Sequence, residues 1–313
     1  MSKAVKIFFV TDIHGSNLCY RKYLNALKVY NVDVGILLGD LTGKVLIPLV
    51  EKAGGGWETT LMGTHQEITT QEELDKLKKT IEMMGYYWVH QTPDEFHEFK
   101  ADPKKVDALF KELMMSRLCE WIDLADERLA GTSYKVYMAP GNDDHFEVDQ
   151  IIEDSKAIVN CNNRNVMLGD HEMITFSWAN PTPWNTPREK PDEELEPMLE
   201  ALVSTVKEKS NAIFNFHAPP YGFALDLAPE LSKDLIQAAD RKIHVGSRAV
   251  AKMIEKYQPL IGLHGHIHES RGAQKIRRTL IINPGSEYSE GILKGAMIVL
   301  EKGKVKDYVF TSG

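Results

Sequence analysis

Cysteine is scarce in this chain, and the three present, Cys19, Cys119 and Cys161, are odd in number, far apart and without CxxC spacing. That excludes a disulfide framework and a thiolate metal site, and leaves small buried hydrophobes as their reading. Apolar runs are short as well, none approaching the length a membrane-spanning helix needs. The N-terminal VKIFFV is too brief for a signal-peptide core and leads into a charged helical pattern, so a cytoplasmic protein is expected. Basic residues are in deficit, 37 against 45 acidic for a formal charge of −8, and no long block of like charge occurs. A broad basic groove for nucleic-acid phosphates is therefore not evident, and a small substrate fits better than a polymer.

What is abundant is apolar sequence of one particular kind. With 313 residues, 43% of them hydrophobic, the chain suits one large α/β domain, 1–313, carrying an insertion. Five near-continuous apolar runs each end in a polar cluster: AVKIFFVTDIH at Asp12 and His14, VDVGILLGD at Asp40, YKVYMAPGND at Asn142, NAIFNFH at His217, and QPLIGLHGHIH at a group of histidines. Runs rich in β-branched and aromatic residues predict strands buried on both faces. Amphipathic helical patterns lie between them, NLCYRKYLNALKVY, DEELEPMLEALVSTVKEK and SRAVAKMIEKY among them. In such folds functional groups gather beyond the carboxyl ends of the strands, where all five clusters fall. Gly15, Gly39, Gly141 and Gly265 stand beside them, as close approach of backbones requires.

In LHGHIHES, residues 263–270, His264, His266 and His268 alternate. Alternate residues of an extended strand share a face, so this is either a metal-ligand spacing or a solvated turn. The full set of strand-end residues, carboxylate and imidazole with one amide, suits borderline divalent ions such as manganese, iron or zinc.

Taken in order, TDIHG, LLGD, PGNDD, FNFHAPP and HGHIHE resemble the motifs of the calcineurin-like metallophosphoesterase family. The resemblance extends from residue 12 to residue 268. It implies two mixed β-sheets stacked face to face with helices outside, an αββα sandwich, here with a mainly helical insertion. It also implies two divalent transition-metal ions. One would be held by Asp12, His14, Asp40 and His268; the other would share Asp40 and add Asn142, His217 and His266. His264 falls outside the motif and is expected to pack or to support a ligand. The implied activity is a phosphoric ester hydrolase, phosphodiesterase or phosphatase, in which a metal-bridging hydroxide attacks phosphorus. Two alternatives stand beside it: a nuclease of the same fold, and a non-catalytic scaffold binding a protein partner.

The chain departs from the family pattern in two places. Where phosphodiesterases of the family carry His after the motif asparagine, this chain has Asp143, so Asp143 and His145 are both candidates for protonating the leaving group. The stretch between Asp40 and Asn142 is also long, and residues 45–130 are read as an insertion. KVLIPLVEKAGGGWETTLMG predicts a hairpin around a glycine turn, followed by helical stretches TQEELDKLKKTIEMM and PKKVDALFKELMMSRLCEWIDLADERLA. In the latter, Val106, Phe110, Leu113, Arg117, Trp121, Ala125 and Leu129 form a stripe expected to pack on the main domain, with a lid or a homodimer contact as the alternative. NPTPWNTPREKP, residues 180–191, reads as a plain surface loop, with substrate contact by Trp184 or Arg188 as the alternative. The NPGS turn at Gly285 and Ser286 reads as structural or as an amide pair facing phosphate.

Overall fold

The computed structural model describes residues 4–231 and 237–313. Its first part runs β1 (Val5–Thr11), α1 (Asn17–Val29), β2 (Val34–Leu38), β3 (Leu46–Glu51), β4 (Trp57–Leu61), β5 (Thr64–Ile68), α2 (Gln71–Met83) and β6 (Tyr87–Gln91). There follow α3 (Pro93–Ala101), α4 (Pro103–Leu129), β7 (Lys135–Ala139), α5 (Val148–Glu153), β8 (Ile158–Asn160), β9 (Asn165–Leu168), β10 (His171–Phe176) and α6 (Asp192–Ser204). The last part comprises β11 (Ile213–Phe216), β12 (Leu227–Leu231), β13 (Gln237–His244), α7 (Arg248–Tyr257), β14 (Ile261–Leu263), β15 (Gly272–Ile276), β16 (Thr279–Asn283), β17 (Lys294–Glu301) and β18 (Lys304–Ser312).

Two six-stranded mixed sheets form the body, ordered β18-β17-β1-β2-β7-β8 and β15-β16-β14-β11-β10-β9. The five apolar runs read from the sequence are β1, β2, β7, β11 and β14, which lie in the parallel centres of the sheets. Period-two alternation explains the layering. In β1, Ile7 and Phe9 face the opposite sheet, packing with Val34, Ile36, Leu38, Ile213, Ile261 and Leu263. Phe8 and Val10 face outward, onto a cluster that contains Tyr20, Leu27, Trp121 and Val148 from α1, α4 and α5. The second sheet does the same with Phe214 and Phe216 against Leu195 and Leu199 of α6 and Val250 and Ile254 of α7. Helix, sheet, sheet, helix is the expected αββα order. Among the described residues, no helix is long and apolar enough to cross a membrane.

Between β2 and β7 the chain builds a separate four-stranded sheet, β5-β4-β3-β6, with α2 on its apolar face. The hairpin read from the sequence is β3 and β4; β5 extends it, and β6, parallel to β3, and α3 complete the unit. The short runs forming β5, β6 and α3 are half exposed and carry little periodicity, which is why the sequence did not disclose them. α4 then returns to the main body. Its stripe deepens along its length, from half-buried Val106, Phe110 and Leu113 to buried Arg117, Trp121, Ala125 and Leu129. Trp121 stacks on Tyr20 with ring centroids 4.4 Å apart. Arg117 belongs to the stripe because its guanidinium lies over the Tyr87 ring and donates to the Gly15 and Tyr86 carbonyls at 3.0 and 2.7 Å, tying the inserted sheet to the first motif loop.

Candidate metal centre

The carboxyl ends of β1, β2, β7, β11 and β14 converge on one crevice, and the loops that leave them supply Asp12, His14, Asp40, Asn142, His217, His266 and His268. Asp12, His14, Asp40 and His266 all have positive φ (53°, 38°, 45° and 67°). For residues with a Cβ this conformation is uncommon and strained, and such strain is concentrated at functional sites. Two glycines permit the crowding. A Cβ on Gly141 would lie 2.2 Å from Asp40 Oδ1, and one on Gly39, itself at φ 73°, would lie 2.1 Å from His217 Nδ1.

Asp12, His14, Asp40 and His268 form one group of potential ligands, and Asp40, His217 and His266 a second, with the ligand atoms of each within 4.8 Å of one another. Asp40 divides its oxygens between them. Oδ2 lies 3.6 Å from His14 Nε2 and Oδ1 lies 3.3 Å from His217 Nε2. Asn142 joins the second group, its Oδ1 3.0 Å from His217 Nε2. Its amide is oriented by Thr186, whose hydroxyl accepts from Asn142 Nδ2 at 2.7 Å, so that the oxygen faces the centre. Asp12 is fixed by Thr11 Oγ1 at 2.7 Å and by the backbone N–H of His266 at 3.0 Å.

Most of these residues are buried: Asp12 and Asp40 are 1% and 3% exposed and His14 and His217 fully buried, while His266 and His268 are half-buried at the crevice. Burial by itself would raise both aspartates, yet the histidines around them hold Asp12 below the ordinary carboxylate range and Asp40 well below it. Burial depresses His14 strongly and brings His266 down to about 4; His217, against the same burial, is raised to about 9 by Asp40 and Asp12. His268 is likewise raised against burial, by Asp12, so two buried carboxylates stand among four imidazoles, two of which resist protonation and two of which favour it. Buried charge is tolerated when paired or when it coordinates a cation, and the donor set of carboxylate, imidazole and amide oxygen suits borderline divalent metals.

His264 stands apart. Its Nδ1 faces the carbonyls of Phe216 and Ala218 at 2.8 and 3.1 Å, so it clasps the chain on either side of His217 and contributes no atom to either ligand group. The NPGS turn is structural. Gly285 N donates to Asn283 Oδ1, Ser286 N donates to the His268 carbonyl, and Ser286 Oγ donates to the Asp12 carbonyl at 2.6 Å.

Above the centre opens a cleft of about 1110 Å³, whose lining includes Asp40, Asn142, Asp143, His145, His266 and His268. Its apolar walls come from Phe110 and Met114 of α4, Pro183 and Trp184 of the proline-rich loop, and Pro229 and Ile243 of β12 and β13. Trp184 therefore does line the site. Arg188 does not: it is 2% exposed, donates to the Asp144 and His145 carbonyls at 2.9 Å each and pairs with Asp149 at 2.7 Å. For Arg188 this burial corrects both the surface-loop reading and the alternative of substrate contact.

The sequence did not disclose two further residues. Asp144, fully buried, accepts from the backbone N–H groups of Leu41, Thr42 and Gly141 at 2.8–2.9 Å, locking the Asp40 loop to the Asn142 loop. Burial and nearby Asp40 push it up to about 6 despite those donors. Lys44 lines the cleft and places its Nζ 2.7 Å from Asp143 Oδ2. The second Asp of PGNDD was visible as a neighbour of Asp143, but nothing in the pattern around Lys44 marked it.

No protein-family model matches the chain. It is 34% identical, over 180 residues, to the uncharacterized protein MJ1162 of Methanocaldococcus jannaschii, an alignment covering 56% of this chain and 76% of that one. The chain belongs to the same family as that archaeal protein. A solved crystal structure aligns over 99% of both chains with TM-score 0.61 and 16% identity, which shows a shared fold. YfcE, a phosphoesterase from E. coli, aligns over 97% of this chain and 98% of its own, with TM-score 0.34 and 11% identity, a likeness too slight to argue from. The two-sheet sandwich and the convergence of five ordered motifs bear out the resemblance to the calcineurin-like metallophosphoesterases.

Proposed function

We propose that the chain is a dinuclear metal-dependent phosphoric ester hydrolase acting on a small substrate. One observation carries this reading: the two oxygens of Asp40 face separate ligand groups, an arrangement in which one carboxylate could serve two cations. Asp12, His14, Asp40 and His268 would hold one ion, and Asp40, Asn142, His217 and His266 the other. When bound, such a pair supplies an activated water and offsets charge developing on phosphoryl oxygens.

The rest of the work falls to this chain's own side chains. The apolar walls of the cleft exclude water and suit an ester whose organic part is bulky and apolar. Between the two candidates for serving the leaving group, Asp143 is engaged by Lys44, whereas half-buried His145 lines the cleft two residues beyond. We therefore assign the leaving-group proton to His145, leaving Asp143 an electrostatic role; burial and Lys111 hold His145 below the ordinary imidazole range, so the protonated form that can donate is populated toward acid pH. Residues 45–130 are taken as one insertion within a single domain, 1–313, whose α4 contributes a wall of the cleft.

The test is a hydrolysis screen of phosphomonoesters, cyclic nucleotides and model diesters with added manganese. Turnover that vanishes with chelator and returns with manganese is the expected result. Turnover indifferent to chelator, or none on any ester at full manganese occupancy, would exclude the reading.

A further inference from the structure

Lys44 is the residue of the cleft floor that the motif pattern leaves without a role. Its side chain is 46% exposed, and Asp143, at 19%, holds its ammonium at 2.7 Å. This pair sits at the edge of the candidate centre. Asp143 Oδ2 lies 3.9 Å from His14 Nδ1, and Asp143 N donates to Asp40 Oδ1 at 3.1 Å. The backbone that launches Lys44 has no slack: Gly43 N donates to Tyr87 Oη at 3.1 Å, and a Cβ on Gly43 would lie 1.9 Å from the Gly85 carbonyl oxygen. Lys111, also of the cleft lining, is drawn by Glu147 at 2.6 Å.

We infer that Lys44, anchored by Asp143, is a specificity-determining residue that binds a non-bridging phosphoryl oxygen and biases the site toward phosphomonoester dianions over phosphodiester monoanions. The inference rests on the phosphoric ester reading of the same site. An ammonium carries three donors, and a carboxylate on one side leaves others for an oxygen in the cleft. Lys44 is charged at any working pH, because Asp40 and Asp143 raise it above the ordinary lysine value although burial alone would lower it. Coulomb energy scales with the product of charges, so a fixed cation attracts a dianion twice as strongly as a monoanion in the same position. Specificity is that difference. An ordinary surface ion pair, by contrast, contributes little and would leave anion binding unchanged when removed.

The experiment uses the manganese-loaded protein, with metal content measured for each variant. Inorganic phosphate binding is followed by calorimetry in the parent, Lys44→Met, Lys44→Gln, Lys44→Arg and Asp143→Asn. The kcat/KM ratio for para-nitrophenyl phosphate over methyl para-nitrophenyl phosphate, which share a leaving group, is measured alongside. Loss of a charge-assisted contact should weaken phosphate binding about 10-fold or more in Lys44→Met and Lys44→Gln and lower the monoester preference by a similar factor. Lys44→Arg should retain most of both, and Asp143→Asn should fall between. Unchanged phosphate affinity and an unchanged ratio at equal manganese content would overturn the assignment of Lys44 while leaving the hydrolase reading intact. Phosphate binding that depends on Lys44 in a parent that cleaves neither ester would support Lys44 as an anion-binding residue and overturn the hydrolase reading instead.

Discussion

His14 Nε2 and His268 Nε2 lie 3.0 Å apart, although 254 residues separate them in the chain. His14 turns its Nδ1 toward the Thr42 carbonyl at 3.3 Å, which favours the tautomer that leaves Nε2 as a lone pair directed at its partner. Two imidazole nitrogens approach in this way when they share a proton or a cation, and Asp12 and Asp40 complete the shell for a cation.

The first expected outcome is therefore that manganese-loaded protein carries two ions per chain by elemental analysis. Because the preformed site exists only in the folded state, manganese should raise the thermal midpoint in a concentration-dependent way. A midpoint indifferent to manganese would contradict the assignment of the cluster.

Asp40 belongs to both ligand groups, whereas His268 belongs to one. Asp40→Asn should thus weaken both sites, and His268→Ala should leave about one ion per chain. Titration calorimetry with manganese distinguishes the two. Equal stoichiometry in the two variants would mean that Asp40 is not shared.

His264 offers a pH-dependent test. Burial, with His217 nearby, lowers it to about 4, well below an unfolded histidine, so the unfolded chain takes up its proton first as pH falls. Its contribution to stability is full above the unfolded value of about 6.5 and is lost as pH drops toward the folded one, amounting to about 3 kcal/mol at most. Urea unfolding of metal-free protein from neutral pH to mild acid should show a shallower decline in His264→Asn than in the parent. Manganese affinity in that variant should stay within about 10-fold of the parent, since His264 supports the chain beside His217 without reaching the centre. Damage equal to that of His266→Ala would place it among the ligands.

Arg188→Met removes a buried cation that holds the Asp144 and His145 carbonyls and Asp149. It should cost about 3 kcal/mol in urea unfolding, as loss of one partner from a buried pair does. The folded fraction should retain its manganese stoichiometry. A variant of parental stability with altered substrate affinity would restore Arg188 to the substrate surface.

The central strands and the polar clusters at their ends were legible in the sequence because both rest on local rules. A strand buried on two faces needs an unbroken apolar run, and a chain that turns sharply at its end needs glycine beside the polar residue it presents. β1, β2, β7, β11 and β14 and the polar residues after them follow from that alone, while the reading of those residues as ligands came from the family resemblance. What the sequence left open depended on contacts between distant segments. His264 and His266 alternate alike, and only the carbonyls flanking His217 separate their roles. Arg188 sits in a loop whose composition suggests solvent, yet packing against α5 buries it. Lys44 lies four residues past Asp40, outside the motif. Its place beside Asp143 was decided by a backbone wedged between the Gly85 carbonyl and the Tyr87 hydroxyl, contacts supplied by a sheet whose short, half-exposed strands carry almost no periodic signal.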